Sequence, residues 1–166
     1  VRTLTKAGAT VRVIMTAGAM EFITPLTLQA LSGNPVHHAL LDETAEAGMG
    51  HIELARWADT ILIAPASADL IARLAAGMGD DLLTTVCLAS SAPLCLAPAM
   101  NQQMWAAATT KNTLSTLARL RGDALALFGP GSGAQACGDI GLGRMLEPEA
   151  IAQQLADRFV SGTLAG

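Results

Sequence analysis

Residues 93–105, PLCLAPAMNQQMW, combine two patterns that decide the fold class. Residues 93–98 form a short apolar run, which is typical of a strand buried on both faces. The run gives way to Asn101 and two glutamines, and then to Met104 and Trp105. A buried strand that ends in polar residues and continues into a helix-compatible segment is the repeating unit of an α/β domain.

Three further apolar runs, at residues 11–16, 60–65 and 124–128, predict additional strands. None of the runs alternates between apolar and polar residues, so we expect helices on both faces of a mainly parallel sheet. The intervening segments suit helices, which we place at residues 21–31, 52–58, 68–76, 82–89, 102–120 and 148–159. The sequence therefore predicts a three-layer α/β domain.

The segments outside this pattern are the chain ends and one glycine-rich stretch. Residues 129–144, GPGSGAQACGDIGLGR, contain too many glycines for a helix or a central strand and predict a mobile loop. Residues 1–7 predict the end of an amphipathic helix with Gly8 at its C-cap. A βαβ unit needs a strand before that helix, so we expect an N-terminal strand to precede residue 1.

Composition argues against two classes of partner. The net charge is -4 and the 10 Lys and Arg residues are scattered singly, so no basic stripe is available for nucleic acid. No charged residue lies between Asp81 and Lys111, but Pro93, Pro98 and Asn101 interrupt this run, which argues against a membrane span. We expect neither nucleic acid nor a membrane as a partner.

The apolar content is high for a single soluble domain. Hydrophobic residues make up 51% and glycine adds 16 residues, or roughly 61% together, against about 45–50% in typical domains. Subunit interfaces are the expected place for this excess. The cysteines Cys87, Cys95 and Cys137 form no paired motif, which favours a reducing cytoplasm and gives no sign of a metal site.

Ligands of open α/β sheets bind beyond the carboxyl ends of the strands. In this sequence those ends carry small and hydroxyl residues at positions 16–18, 67–70 and 99–101. Hydroxyls and small residues at two successive strand-to-helix turns suit an anion held by backbone N–H groups. No Walker sequence or GxGxxG is present.

Three residues could carry chemistry, and each has a structural alternative. His51 stands near a helix start, where a neutral imidazole could act as a base, but it could equally cap the helix or bond in the core. Asn101 could orient a carboxylate or serve as an N-cap. Cys137 could titrate in its polar loop or be a tolerated exposed thiol, whereas Cys87 and Cys95 are predicted to be buried. His37 and His38 are expected in a solvated loop.

Four segments in this order resemble the phosphopantothenoylcysteine decarboxylases, within the flavin-containing cysteine decarboxylases. They are GHIELARWAD, APASADLIARLAAGMGDDLL, PAMNQQMW and ACGDIGLGRM, in residues 50–59, 64–83, 98–105 and 136–145. The resemblance covers nearly the whole chain and implies a Rossmann-like flavoprotein fold. It implies one FMN-dependent decarboxylase domain at residues 1–160 and a tail or linker stub at 161–166. Members of the family carry a strand and a Gly/Ser-rich FMN phosphate turn that we expect before residue 1.

The resemblance also assigns roles to residues. It implies that His51 is the essential base, that Asn101 grips the substrate carboxylate and that Cys137 donates a proton. The positions that match FMN contacts are Thr16, Ala17, Gly18, Ser67, Ala68, Asp69, Leu70 and Ala99. The positions that match the substrate-facing side of the family's flap are Ala134, Gln135 and Ala136. Met104 and Trp105 are expected to pack or to lie at an interface.

The implied reaction converts 4'-phosphopantothenoylcysteine to 4'-phosphopantetheine in coenzyme A biosynthesis. Because direct loss of CO2 would leave an unstabilised carbanion, the family uses FMN as an electron sink. The resemblance further implies a homotrimer or trimer-based dodecamer, and in bacteria a fused ligase domain. Two alternatives remain open: a decarboxylase of peptidyl cysteine, and a non-catalytic homologue that regulates protein phosphatases.

Overall fold

The computed structural model describes residues 1–40, 50–134, 138 and 140–160. Their contacts divide the chain into two compact units, Val1–Trp57 with Gly79–Ser90, and Ala58–Met78 with Ser91–Gly166. The helices are α1 Arg2–Lys6, α2 Ala17–Met20, α3 Pro25–Ser32, α4 His51–Trp57, α5 Ala68–Ala75, α6 Leu82–Ala89, α7 Gln102–Ala106, α8 Ala108–Arg121 and α9 Pro148–Val160. The strands are β1 Val13–Ile14, β2 Val36–His37, β3 Ile61–Ala66, β4 Leu94–Pro98, β5 Leu125–Leu127, β6 Gly131–Ala134 and β7 Ile140–Arg144.

The first unit contains a parallel β1–β2 pair and the packed helices α4 and α6. Helix α6 starts at a capping box, in which the Asp81 carboxylate accepts from the Thr84 N–H at 2.7 Å. Leu54 and Ala55 of α4 are buried. The Ser90 hydroxyl, which follows α6, donates to the Ala55 carbonyl at 2.8 Å. These contacts hold α4 through residues in its middle.

The second unit is built on a three-stranded parallel sheet in the order β3-β4-β5. All five residues of β4 are buried, as the apolar run at 93–98 predicts. Helix α5 packs on α8, and each contributes buried aliphatic side chains, including Ile71 and Leu117. The α/β class and the mainly parallel pairing are confirmed.

The predicted elements need four corrections. The helix predicted at 21–31 starts only at Pro25, because residues 21–24 form a turn after α2 and Thr24 caps the new helix. The helix predicted at 102–120 is divided at Ala107, whose backbone is extended with ψ 137°. Strand β2 was not predicted. His37 lies in this strand and is half-buried, whereas His38 is exposed as expected. Burial and, to a lesser degree, the Arg12 guanidinium lower the pKa of His37.

The fourth correction concerns the glycine-rich segment, which is not simply a loop. Residues Gly131–Ala134 and Ile140–Arg144 form an antiparallel hairpin, with Gly133 paired to Gly141 and Ala134 to Ile140. The glycines at 129, 131 and 133, and those at 141 and 143, are each two residues apart, which is the period of a strand. Ladder hydrogen bonds between the two strands offset the weak intrinsic strand preference of glycine.

Candidate functional site

The carboxyl ends of β3 and β4 meet at one edge of the second unit's sheet. Ala66 pairs with Pro98, and the Ala99 N–H donates to the Ala66 carbonyl at 3.0 Å. This bond places the turn that follows β3 beside the turn that follows β4. The predicted site positions 67–70 and 99–101 are therefore brought together, as expected for parallel strands.

The turn after β3 is organised by Ser67, which is the N-cap of α5. Its Oγ accepts from the Leu70 N–H at 3.2 Å, and its carbonyl accepts from the Ile71 N–H at 3.0 Å. Ser67 and Asp69 are exposed, Ala68 is half-buried, and the Leu70 side chain is buried. Leu70 therefore belongs to the core of the unit through its side chain, and only its backbone faces the turn.

The turn after β4 fixes the orientation of Asn101. The Asn101 Oδ1 accepts from the Gln103 N–H at 2.7 Å, so this residue is the N-cap of α7. Asn101 therefore serves as an N-cap, which was the alternative to a binding role. The two roles are compatible, because capping uses only the amide oxygen. Because the cap holds the carbonyl side of the amide, the direction of the Nδ2 donors is set as well.

The hairpin lies against the same turn. The Met100 N–H donates to the Gly143 carbonyl at 2.9 Å, and α7 packs on β7. The structure thereby joins Ala134, at the end of β6, to the element that carries Asn101. Gln135, Ala136 and Cys137 lie outside the described residues, so their roles stay predictions.

Helix α7 carries Met104 and Trp105, which differ in their surroundings. The Lys111 ammonium of α8 lies 3.7 Å from the ring centroid of Trp105, a cation–π contact across the junction of α7 and α8. Met104 is 48% exposed. Trp105 thus packs within the unit, as the sequence predicts, and Met104 presents an apolar side chain to the surroundings.

The first unit carries the predicted cofactor positions 16–18 and the predicted base, His51. Thr16 follows β1 and is the N-cap of α2, with its Oγ1 accepting from the Ala19 N–H at 3.2 Å. Ala17 and Gly18 are exposed, and a Cβ on Gly18 would meet no atom within 4 Å. The turn after β1 therefore presents small residues and a hydroxyl, as the turn after β3 does.

His51 is the first residue of α4 and is half-buried. The Gly50 N–H before it is bonded to the Glu53 carboxylate at 3.3 Å, and the Gly50 carbonyl accepts from the Leu54 N–H at 3.0 Å. Glu53 and Gly50 thus organise this helix start. The position of His51 matches the prediction, and its role as a base stays a prediction.

The two described cysteines are core residues, as predicted. Cys87 and Cys95 are buried. Burial raises the pKa of Cys95, and the Thr60 hydroxyl lies 3.7 Å from its sulfur. A neutral buried thiol is chemically inert, so neither residue is a candidate nucleophile.

Among the residues that the structure describes, no group of three His, Cys, Asp or Glu side chains could hold a metal ion. Of the described helices, none combines the length and the apolar character that crossing a bilayer requires.

The donor set at the strand ends suits a ligand with both polar and planar parts. A hydroxyl can accept one hydrogen bond and still donate its own hydrogen, so Thr16 in the first unit and Ser67 in the second can each cap a helix and keep a donor. Ala99 is half-buried and adds only a methyl group to the surface beside Ser67. The sequence contains one signal that the prediction missed. Most of the glycines in residues 129–144 recur every second residue, as in strands, but the segment was predicted to be a loop.

Comparison with known proteins identifies related sequences. A family model described as Flavoprotein matches residues 1–160. The chain is 59% identical over 165 residues to the coenzyme A biosynthesis bifunctional protein CoaBC of Vibrio cholerae, covering 99% of this chain and 41% of that protein. It is 58% identical to the Escherichia coli CoaBC over 159 residues, which is 96% of this chain and 38% of that protein. The chain thus spans about two fifths of the length of these relatives.

Solved structures show the same fold. A Cys-to-Ser mutant of PPC decarboxylase complexed with pantothenoylaminoethenethiol is matched with TM-score 0.81 and 33% identity, over 96% of this chain and 88% of that one. The FMN binding protein AtHal3 is matched with TM-score 0.77 and 34% identity, over 96% and 87%. The peptidyl-cysteine decarboxylase EpiD, at 24% identity and TM-score 0.71, shares the fold.

Proposed function

The chain belongs to the flavoprotein family, and we propose that it is the FMN-dependent decarboxylase part of a coenzyme A biosynthesis protein. Its substrate is 4'-phosphopantothenoylcysteine and its product is 4'-phosphopantetheine. The observation that carries this proposal is the match to PPC decarboxylase, which extends over 88% of that chain at 33% identity. Relatives named bifunctional are more than twice as long, which supports a fused ligase domain in the whole protein.

The residues that would hold FMN are those at the two strand-end turns. Thr16, Ala17 and Gly18 supply one turn, and Ser67 to Leu70 with Ala99 supply the other. Hydroxyl groups at these turns can bond the polar chain of FMN, and the small side chains beside them leave room for its planar ring. When bound, FMN supplies the electron acceptor that loss of CO2 from a cysteinyl carboxylate requires.

The chain's own residues position the substrate and move protons. Asn101, with its amide held by the cap, binds the substrate carboxylate through its donors, and Ala134, Gln135 and Ala136 contact the rest of the substrate. His51 accepts a proton as the cysteine moiety is oxidised. Cys137 would donate the proton that accompanies the return of two electrons from the bound, reduced cofactor to the enethiolate left after loss of CO2, and this reduction gives the product thiol.

The first prediction concerns FMN binding and compares substitutions at two threonine N-caps, one inside and one outside the proposed site. The full-length protein is expected to purify yellow with non-covalent FMN. Thr16 and Thr24 both cap helices and accept from a backbone N–H, at 3.2 and 3.4 Å. Thr16→Ala should weaken FMN binding by about 5- to 10-fold, the effect of one lost hydrogen bond, whereas Thr24→Ala should not change it. Titration of the apoprotein with FMN, followed by flavin fluorescence, measures both.

Loss of either cap should lower stability by a similar amount, about 1 kcal/mol. Thermal unfolding of the two variants therefore controls for a general effect on the fold. A colourless full-length protein that refuses FMN would contradict the enzyme proposal. Equal weakening of FMN binding in both variants would remove Thr16 from the cofactor site.

The second prediction concerns assembly. We propose a homotrimer, or trimers associated into a dodecamer, as the family resemblance implies. The cysteine pattern supports a location in the cytoplasm, and the high apolar content supports subunit interfaces. Several large apolar side chains support this, among them Phe22 at 92% exposed, Leu26 at 73% and Ile140 at 77%. Light scattering of the full-length protein is expected to give the mass of three subunits or a multiple of three. A monomer at micromolar concentration would contradict the proposal.

A further inference from the structure

Strand β7 approaches the start of α7 closely because residue 141 is glycine. A Cβ at this position would overlap the Oε1 of Gln102, and it would lie 3.0 Å from the Gln102 Cδ and 3.1 Å from its Cβ. Nonbonded carbon atoms prefer about 3.5–4.0 Å. The φ of Gly141 is outside the left-handed region, so a larger residue here is opposed by the Gln102 side chain and not by backbone conformation.

A second contact holds the same strand two residues further on. The Met100 N–H donates to the Gly143 carbonyl at 2.9 Å. Leu142, between these two glycines, is 51% exposed, and Ile140, before Gly141, is 77% exposed. Strand β7 therefore has a docked side and an open side. The docked side rests on Met100 and Gln102, the two residues that flank Asn101.

We propose that Gln102 is a positioning residue, which sets the distance between Asn101 and the β6–β7 hairpin. The inference rests on the proposed function, in which Asn101 and Ala134 bind one substrate. Ala134 is paired with Ile140 across the hairpin, so its position follows that of β7. Asn101 is held separately, by its bond to the Gln103 N–H. The Met100–Gly143 hydrogen bond ties β7 to the turn that carries Asn101, and the Gln102 side chain sets how closely the strand approaches that turn.

The test begins with Gly141→Ala in the full-length protein loaded with FMN. The added methyl should displace the Gln102 amide and shift β7 by a few tenths of an ångström relative to the Gln102 Cβ. We expect KM for 4'-phosphopantothenoylcysteine to rise about 3- to 10-fold, because the two substrate contacts are weakened and not removed. A general loss of folded protein would instead lower kcat and leave KM unchanged. The double variant Gln102→Ala/Gly141→Ala removes Oε1 and Cδ and should recover most of the wild-type KM.

Gly133→Ala is the matched control, because Gly133 is paired with Gly141 across the hairpin. A Cβ there meets only the Cδ and a terminal nitrogen of the exposed Arg144 side chain, at 3.1 and 3.3 Å, and this flexible chain can move. Its KM should remain near that of the wild type. If Gly141→Ala fails to fold, Gln102→Ala replaces it, with an expected rise in KM of about 3- to 10-fold for one lost neighbour contact.

Hydrogen exchange of the Met100 amide separates this inference from the proposed function. The amide should exchange faster in Gly141→Ala and in Gln102→Ala, and should return toward the wild-type rate in the double variant. If the wild type does not turn over the substrate, the proposed function fails and the exchange rates still decide the positioning role. Unchanged exchange in both single variants, or no recovery in the double variant, would overturn the inference.

Discussion

His51→Asn is expected to abolish both flavin reduction and CO2 release from 4'-phosphopantothenoylcysteine. If His51 is the base that assists oxidation of the cysteine moiety, no later step can begin without it. Loss of a positioned base typically costs about 10²–10⁴-fold in rate, so single-turnover mixing under anaerobic conditions should resolve the change. The measurement follows flavin bleaching together with released CO2.

The variant should fold, because other residues hold α4. Leu54 and Ala55 are buried, and the Ser90 hydroxyl bonds the Ala55 carbonyl at 2.8 Å. Asparagine is also well tolerated near a helix start. His38→Asn makes the same substitution at an exposed histidine and should bleach at the wild-type rate. Near-normal bleaching in His51→Asn would show that this histidine is not the base.

Cys137→Ser is expected to interrupt the reaction at a later step. Flavin reduction and CO2 release should proceed, and formation of 4'-phosphopantetheine should fall by about 10²–10⁴-fold. The reason is acidity: a thiol with a pKa near 8.5 can deliver a proton to the enethiolate, whereas a serine hydroxyl is a far weaker acid. The same single-turnover experiment, with the product thiol quantified, separates this variant from His51→Asn.

Cys95→Ala is the control for loss of a thiol. Cys95 is buried, and the Thr60 hydroxyl beside it also donates to the Pro93 carbonyl at 3.1 Å, so the substitution leaves that hydroxyl bonded. Product formation in Cys95→Ala should equal that of the wild type. Equal loss of bleaching in Cys137→Ser and His51→Asn would show that Cys137 acts earlier or supports the structure.

Local patterns in the sequence account for most of the fold. The apolar run at 93–98 predicts a strand that is buried at all five positions of β4. The helix predicted at 82–89 is observed with the same bounds, because Asp81 and Thr84 form a capping box. Strand-end positions also follow from the chain itself, since consecutive parallel strands end at one edge and bring Ser67 beside Ala99.

Contacts between distant segments account for what the sequence alone did not predict. The segment at 129–144 was expected to be a loop because glycine disfavours strands, yet its parts Gly131–Ala134 and Ile140–Arg144 pair as antiparallel strands. His37 was expected in solvent and is half-buried in β2. Hydrophobic periodicity and helix capping depend on residues only a few positions apart, so the sequence alone predicts them. The need for glycine at 141 depends on Gln102, which lies far along the chain and comes within van der Waals contact only in the folded structure.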